Sequence, residues 1–461
     1  MGKILTRMGD GSPLEMTEAE LQGDLEDGAA QAVENGGAPE LGPEEIEYLM
    51  DLFKRPDRIV GVPAGREVIL TYDAGALNIK RRSLFEDRVN ALAIYERFLG
   101  ADTLELGHAD YSHKRLRPTV SHERGALEEA LANTQAPIFY GARPNLGLYT
   151  QPDGLFPNPL ELLPLGRIKE GRESYEGMAG SAAEDISFIA EAMWESGADA
   201  INLDLVGASG DPDFMASLTA VEKLTRKYPE MPIEVGMAGE FVLGMHGEMF
   251  YDGTRLAGLY PLDQLKLAEK AGATIFGPVV NTNNNESVPW NLARTIALIK
   301  PCSEAAKIPV HANMGMGVGA VPMTDYPPAD AVSRVSKAMV ELCRLDGLWV
   351  GVGDPVGMAV AHAEASGMGG LRTAGDLVAR VQLAKKLRLD EAKKYVADKL
   401  KVGVGELSDP VIMSEVRADL GFGSLMPLGG TPKGLECKFN IARVLDLKIN
   451  CLDRFKERAG L

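Results

Sequence analysis

Cysteine is scarce in this chain. Its 461 residues include four cysteines, and these are Cys302, Cys343, Cys437 and Cys451. No two of them form a Cys-x-x-Cys pair, which is the spacing typical of zinc sites and redox motifs. The sequence therefore indicates neither a metal site nor a disulfide framework, and we expect all four side chains to be reduced thiols.

Positive charge is also in short supply. The chain has 48 lysines and arginines against 66 aspartates and glutamates, which gives a formal net charge of −18. An acidic surface argues against nucleic acid and anionic membranes as partners, and it suits an enzyme with a cationic substrate. There is no apolar run of about 18 residues and no signal-like N-terminus, so we expect a cytoplasmic protein.

Short apolar runs that alternate with helical patterns are abundant. Helical patterns cover 181–196, 261–271 and 329–343, among others. This alternation predicts parallel β/α units, and hydrophobic residues at 45% of the chain suffice for one large core. Seven strand-like runs are clear, at 102–107, 137–141, 200–205, 232–237, 274–280, 309–314 and 347–353.

Eight such units predict an α/β fold of the (β/α)₈ TIM-barrel type. The eighth strand is either the 67–72 region or a later segment. We place the barrel domain at 59–380, after an N-terminal helical extension at 1–58 and before a C-terminal helical cap at 381–461. Within the extension, Thr17-Glu-Ala-Glu20 and Gly42-Pro-Glu-Glu45 read as helix starts, and no strong strand signal is present.

Polar residues recur on one face of the predicted strands. Side chains alternate between the two faces of a strand, and the apolar face has to cover the helices. The other face therefore points toward the barrel axis. A cation or a hydrogen-bonding substrate would offset the cost of burying several carboxylates there, whereas structural polar groups are the alternative for any single residue. The inward set is Glu105, Asn202, Asp204, Glu234, His311, Asn313 and Trp349.

Four further polar residues lie just beyond strand ends, in loops that should line the barrel mouth. They are Glu240, His246, Asn281 and Asn283. Gly236 and Gly239 let the backbone turn so that Glu240 can project its carboxylate inward. The two asparagines could bind substrate or a docking cofactor, or they could simply cap loops.

The segment Asp346-Gly-Leu-Trp-Val-Gly-Val-Gly-Asp-Pro355 is the most distinctive in the chain, because a large indole, Trp349, occupies an inward strand position. Other distinctive stretches include Leu5-Thr-Arg-Met-Gly-Asp-Gly11, Gly100-Ala-Asp-Thr-Leu-Glu-Leu-Gly-His-Ala-Asp-Tyr-Ser112 and His311-Ala-Asn-Met-Gly-Met-Gly-Val-Gly319. In order and spacing these stretches resemble the dimethylamine methyltransferases, and the resemblance covers nearly the whole chain.

This resemblance implies a methyltransferase that passes a methyl group from a methylated amine to the Co(I) of a separate corrinoid protein. It implies no tightly bound cofactor, since the partner supplies the corrinoid, and it implies a homo-oligomer. In the family the position that matches Trp349 is pyrrolysine, whose electrophilic imine binds the amine. Tryptophan cannot form that adduct, but an indole face attracts an alkylammonium by roughly 0.5–2 kcal/mol.

Three explanations of Trp349 stay open. The chain could be a natural relative without pyrrolysine that acts on another amine, such as a quaternary one. Position 349 could be encoded by an amber codon that is written, or was engineered, as tryptophan. The third possibility is a barrel that binds an amine without turnover. We predict catalytic roles for Trp349, Glu234, Glu240 and Asp204, and substrate contacts for the remaining polar residues, namely Glu105, Asn202, His311, Asn313, Asn281, Asn283 and His246.

Two other functions compete with methyl transfer. One is a non-catalytic barrel that binds an alkylammonium or a betaine. The other is a different acid–base barrel enzyme that pairs His311 with a carboxylate. The fold alone does not separate these possibilities.

Overall fold

The computed structural model describes residues 3–55, 67–71, 103–107, 116–133, 138–142, 146–152, 154–204, 210–244, 249–324, 327–351, 387–400 and 404. The strands are β1 (Ile4–Arg7), β2 (Pro13–Met16), β3 (Glu67–Thr71), β4 (Thr103–Gly107), β5 (Ile138–Ala142), β6 (Ala200–Asp204), β7 (Ile233–Gly236), β8 (Phe250–Tyr251), β9 (Thr254–Arg255), β10 (Ile275–Gly277), β11 (His311–Asn313) and β12 (Gly347–Gly351). The helices are α1 (Glu18–Gly36), α2 (Pro43–Lys54), α3 (Leu116–Asn133), α4 (Pro159–Leu162), α5 (Ile168–Glu195), α6 (Asp211–Lys227), α7 (Pro261–Ala271), α8 (Val288–Ala305), α9 (Ala329–Cys343) and α10 (Leu389–Leu400).

One mixed α/β unit organises the chain around an eight-stranded parallel sheet. The strand order is β10-β7-β6-β5-β4-β3-β12-β11. A single parallel bridge joins Phe276 to Val310, beside the two edge strands β10 and β11. All seven predicted strands are present, and the eighth is Glu67–Thr71, the first of the two proposed locations.

The two faces of this sheet differ in chemistry. Ile201 and Leu203 of β6, Val235 of β7 and Leu348 of β12 belong to the large apolar core that includes the helices. We call this the outer face. The opposite, inner face carries the polar residues and a separate small apolar cluster, as the alternation of strand side chains predicts.

The predicted helix 181–196 is longer in the structure, where α5 runs from Ile168 to Glu195. Its first half contains glycines, which weaken the helical signal in the sequence. These glycines allow close packing, because a Cβ at Gly171 would approach Leu163 Cδ2 to 2.8 Å, and one at Gly177 would press on the Phe156 ring. Tertiary packing therefore outweighs local propensity here.

The N-terminal extension begins with an antiparallel hairpin of β1 and β2, which the sequence did not reveal. Its helices begin where they were predicted. Thr17 and Glu20 form a capping box at the start of α1, and Pro43 opens α2. The domain boundaries at 58 and 380 remain predictions, and of the proposed C-terminal cap the structure describes only residues 387–400, which contain α10, and residue 404. Among the described helices, none has the length and hydropathy needed to cross a bilayer.

Helix α1 packs against α8, and the two run parallel in a fixed register. Ser287 Oγ donates to Asp24 (2.5 Å), Trp290 Nε1 donates to Asp27 (2.7 Å), and Arg294 Nε donates to Gln31. Every pair is separated by 263 positions, so the contacts recur along one face of each helix. Gly28 lies against the Trp290 carbonyl, where a Cβ would overlap the backbone.

This contact predicts that Gly28→Ala destabilises the protein. Added atoms in a tight contact against backbone cost about 1–3 kcal/mol. Gly23 of the same helix is the matched control, because a Cβ there meets nothing within 4 Å. Gly23→Ala should instead stabilise by about 0.5–1 kcal/mol through helix propensity. Urea unfolding of both variants measures the difference, and equal effects would contradict the packing described here.

Candidate active site

The inner face of the sheet gathers buried polar side chains from five strands. Glu105 comes from β4, Asn202 and Asp204 from β6, Glu234 from β7, His311 from β11 and Trp349 from β12. Glu105 is 1% exposed, and Glu234 and His311 are 0% exposed. The alternation in the sequence predicted this placement, while the functional roles of these residues remain predictions.

Three inward glycines give the polar side chains their room. A Cβ at Gly236 would lie 2.9 Å from Asn202 Oδ1, and one at Gly277 would lie 2.7 Å from Glu234 Oε1. A Cβ at Gly347 would lie 2.9 Å from His311 Cδ2. Because such separations are shorter than van der Waals contact, larger residues at these positions would displace the polar cluster.

Glu234 is the centre of one hydrogen-bonded group. Trp349 Nε1 donates to Glu234 Oε1 (2.5 Å), and His311 Nδ1 lies 3.3 Å from Glu234 Oε2. The indole meets the ring of Phe139 edge to face, with centroids 5.8 Å apart. Trp349 is 3% exposed. Both oxygens of Glu234 are therefore engaged, and the indole is held in one orientation.

Glu105 belongs to a second group, which keeps open acceptors. Asn202 Nδ2 donates to Glu105 Oε1 (2.9 Å). Within the part of the chain that the structure describes, neither Glu105 Oε2 nor Asn202 Oδ1 has a hydrogen-bond partner. An unpaired buried acceptor costs about 1–3 kcal/mol, so this pair is suited to a ligand that carries hydrogen-bond donors.

Burial and mutual repulsion shift the titration of these carboxyls. Burial raises the pKa of Glu105 well above its ordinary value, the Asp204 and Glu234 charges add to this rise, and the Asn202 hydrogen bond opposes it. Burial likewise raises the pKa of Glu234, with the Trp349 hydrogen bond opposing it and the Asp204 charge adding to it. A cation among these groups would favour their ionised forms.

The structure does not bring Glu240 into this cluster. Its carboxylate instead forms an ion pair with both terminal nitrogens of Arg294, which lies on α8. The expected inward projection is therefore wrong, because the buried guanidinium of Arg294 on α8 offers a strong bidentate partner to the Glu240 carboxylate. Arg294 gave no signal in the sequence, since 54 residues separate it from Glu240.

The side chains of the predicted asparagines accept hydrogen bonds from backbone N–H groups. Asn281 Oδ1 accepts from the Glu240 backbone N–H (3.3 Å), and Asn283 Oδ1 accepts from the Asn285 N–H (3.0 Å). Asn313, at the end of β11, accepts from the Gly315 N–H (3.2 Å). These contacts match the loop-capping alternative for Asn281 and Asn283, and the structural polar alternative for Asn313. His246 lies outside the described residues.

Sequence reasoning missed Phe139, the aromatic neighbour of the indole. Alternation along β5 contained the signal, because Phe139 stands two residues before Gly141, and β5 pairs Phe139 with Glu105 of β4. In the described ranges, no group of three or more histidine, cysteine, aspartate or glutamate residues could hold a metal ion.

Comparison with known proteins defines the class of this chain. A family model described as dimethylamine methyltransferase (Dimeth_PyL) matches residues 3–458. The protein is therefore a methyltransferase by class. It belongs to the dimethylamine methyltransferase family.

Solved structures show weaker likenesses. The homocysteine methyltransferase MmuM from Escherichia coli, in its apo form, is 12% identical, with 65% of this chain and 96% of that chain covered and a TM-score of 0.38. N-acetylneuraminate lyase from Fusobacterium nucleatum is 11% identical, with coverage of 85% and 98% and a TM-score of 0.35. Likenesses this low carry no information about the substrate.

The raised pKa of Glu105 predicts a pH-dependent stability. Below its unfolded pKa of about 4.3, Glu105 is neutral in both the folded and the unfolded protein. As pH rises from there to the folded pKa, ionisation in the unfolded protein lowers the free energy of unfolding. Glu105→Gln cannot ionise. Its unfolding midpoint should therefore exceed that of the parent increasingly toward alkaline pH and converge with it near pH 4. Urea unfolding across pH 4–9 checks this, and parallel profiles would contradict a buried, neutral Glu105.

Proposed function

We propose that this protein moves a methyl group from a methylated amine to the Co(I) of a separate corrinoid protein. Membership of the dimethylamine methyltransferase family supports the reaction class. The observation that carries the substrate assignment is the pair of buried acceptors, Glu105 Oε2 and Asn202 Oδ1. An ammonium supplies both the positive charge and the N–H donors that this pair needs.

The open acceptors favour a substrate that keeps an N–H group. A dimethylammonium ion carries two N–H donors and a positive charge, so it can donate to Glu105 and Asn202 at once. A quaternary ammonium, the other expectation from the sequence, is attracted by the carboxylates but donates no hydrogen bond. The loss of one such bond to a charged group is worth about 1.5–3 kcal/mol, which is enough to separate the two substrates.

Glu234 takes a supporting role in this proposal. Its oxygens are engaged by Trp349 and His311, so it fixes the indole and the imidazole beside the amine site. Asp204 lies on the same inner face, where its charge raises the pKa values of Glu105 and Glu234. The buried carboxylates hold the cation and the surrounding strands exclude water, while the electron pair of the broken C–N bond remains on the departing amine nitrogen.

The methyl acceptor has to arrive at the carboxyl end of the sheet. When the partner protein presents it, the corrinoid supplies the nucleophilic cobalt that accepts the methyl group. The connections that follow β5, β7 and β11 suit a protein partner, since they expose the large apolar side chains of Leu155, Leu160, Phe241, Leu243, Phe250 and Met323. We further propose that the sheet closes into a (β/α)₈ barrel, with the Phe276–Val310 bridge as its closing contact.

The indole at position 349 has a defined partner, which supports tryptophan as the natural residue. The alternative, an amber codon read as pyrrolysine, is settled by the codon itself. A TGG codon in the gene supports the proposal made here. A TAG codon would assign the family's pyrrolysine chemistry to this chain instead.

A substrate panel tests the function. The protein is mixed with its reduced corrinoid protein and with monomethyl-, dimethyl-, trimethyl- or tetramethylammonium, or glycine betaine, and the cobalt spectrum is followed. We expect methyl transfer from an N–H-bearing amine, with tetramethylammonium at least about tenfold poorer in kcat/KM because it lacks the donor. No methylated cobalt with any compound would contradict methyl transfer, whereas activity confined to quaternary amines would contradict only the proposed substrate.

The same assay tests Glu105. Glu105→Gln removes the charge that holds the ammonium, so kcat/KM should fall about a hundredfold or more, equivalent to losing a charge-assisted hydrogen bond. Glu123→Gln is the matched control, because Glu123 is also fully buried but accepts from Tyr140 between the sheet and α3. The control should retain the activity of the parent. Equal activity of both variants would remove Glu105 from the site.

A further inference from the structure

Arg294 connects its own helix, α8, with α1 and with the connections that follow β7 and β10. Its side chain is 7% exposed, and its Nε donates to Gln31 of α1. Both of its terminal nitrogens donate to the Glu240 carboxylate, and one of them also approaches the Asn281 carbonyl (3.5 Å). Its guanidinium lies 5.8 Å from the Trp290 ring centroid. A buried, bidentate arginine of this kind fixes its partners more tightly than a surface ion pair does.

Glu240 is fixed from several sides as well. Its carboxylate accepts from the Asn281 N–H (3.3 Å), and its own N–H donates to Asn281 Oδ1 (3.3 Å). Gln264 Nε2, on α7, approaches the Glu240 carbonyl (3.5 Å). Glu240 belongs to the connection after β7 and Asn281 to the connection after β10, so these bonds join two neighbouring connections.

The joined connections follow β7, which carries Glu234, and β10, which is paired with β7. Glu234 is paired with Ile275 of β10, and Gly277 leaves the space into which Glu234 extends. The pairing continues beyond the strand ends, since the Met237 N–H donates to the Gly277 carbonyl (2.8 Å). Any shift between β7 and β10 would therefore move Glu234, and with it the indole that Glu234 holds.

We infer that Arg294 is a positioning residue for methyl transfer. Arg294 touches none of the reacting groups. It holds the β7 and β10 connections in one register, and that register sets the place of Glu234 and Trp349. This inference rests on the proposed function, because its effect is measured on methyl transfer.

The consequence is a selective loss of turnover. Glu105 and Asn202 lie on β4 and β6, outside the pair of strands that Arg294 holds. Loss of the Arg294 contacts should therefore leave the amine dissociation constant within about twofold and lower kcat by about tenfold or more, since small misplacements of catalytic groups reduce rates strongly. A purely structural role would lower stability without this separation of kcat from binding.

The test replaces the ion pair as a unit. Arg294→Met alone would leave the Glu240 charge buried, so the informative variant combines Glu240→Met with Arg294→Met, a change that is often tolerated. Arg294→Lys keeps the charge but not the fork, and its kcat should lie between those of the parent and the double variant. The matched control combines Arg7→Met with Asp330→Met, because that partly buried pair also attaches the extension but, among the described residues, forms no hydrogen bond with either connection.

Kinetics with the corrinoid protein, amine calorimetry and urea unfolding are measured on all four proteins. The expected result is a loss of kcat in the Glu240/Arg294 double variant, an intermediate Arg294→Lys, and parental kcat in the control. An active parent with an equally active double variant would overturn the positioning role alone. A loss of kcat that the control shares would also overturn it. A parent that methylates no cobalt would instead overturn the proposed function.

Discussion

The cost of placing carboxylates in a dry interior governs the inner face of this protein. Glu105, Asp204 and Glu234 share one space in the sheet, and burial raises the pKa of both glutamates. A buried charge needs an opposite charge or hydrogen-bond donors to be tolerated. Asn202 donates to Glu105, and the indole of Trp349 donates to Glu234. Glu105 Oε2 and Asn202 Oδ1 have no partner among the described residues, and these open acceptors make the face suited to an ammonium ion.

The arrangement of the rest of the molecule follows from keeping that face both polar and compact. The outer face of each strand contributes to the large apolar core with the helices, so the fold does not depend on the polar cluster for its main stabilisation. Glycines at 236, 277 and 347 let strands of ordinary spacing accommodate Asn202, Glu234 and His311. Outside the sheet, the parallel contact of α1 with α8 brings the N-terminal extension to the connection of β10.

Periodicity explains what could be predicted from the sequence. A strand has only two faces, so once the apolar residues identify the outer face, the residues that alternate with them must point inward. This rule predicted the inward positions of Glu105, Asn202, Asp204, Glu234, His311 and Trp349. Loops have no such rule. Glu240 was predicted to point inward, but its partner Arg294 lies 54 residues away on a helix, where no local pattern records the contact. The early start of α5 could not be predicted for a similar reason. Its glycines are required by close packing against Phe156 and Leu163, which the local sequence pattern does not show.

An indole at position 349 imposes a chemical constraint on any reaction at this site. It has no electrophilic carbon with which to bind an amine covalently, and its N–H is committed to Glu234. The amine must therefore be held by charge and hydrogen bonds alone, and its nitrogen must already be cationic for a methyl group to leave it. A cation that enters among carboxyls with raised pKa values favours their ionised forms, so its binding is coupled to proton release. Affinity for the amine then increases as pH rises toward the folded pKa of Glu105, which is the opposite of the trend expected for stability. The group that weakens the fold at high pH is thus the one that binds the substrate there.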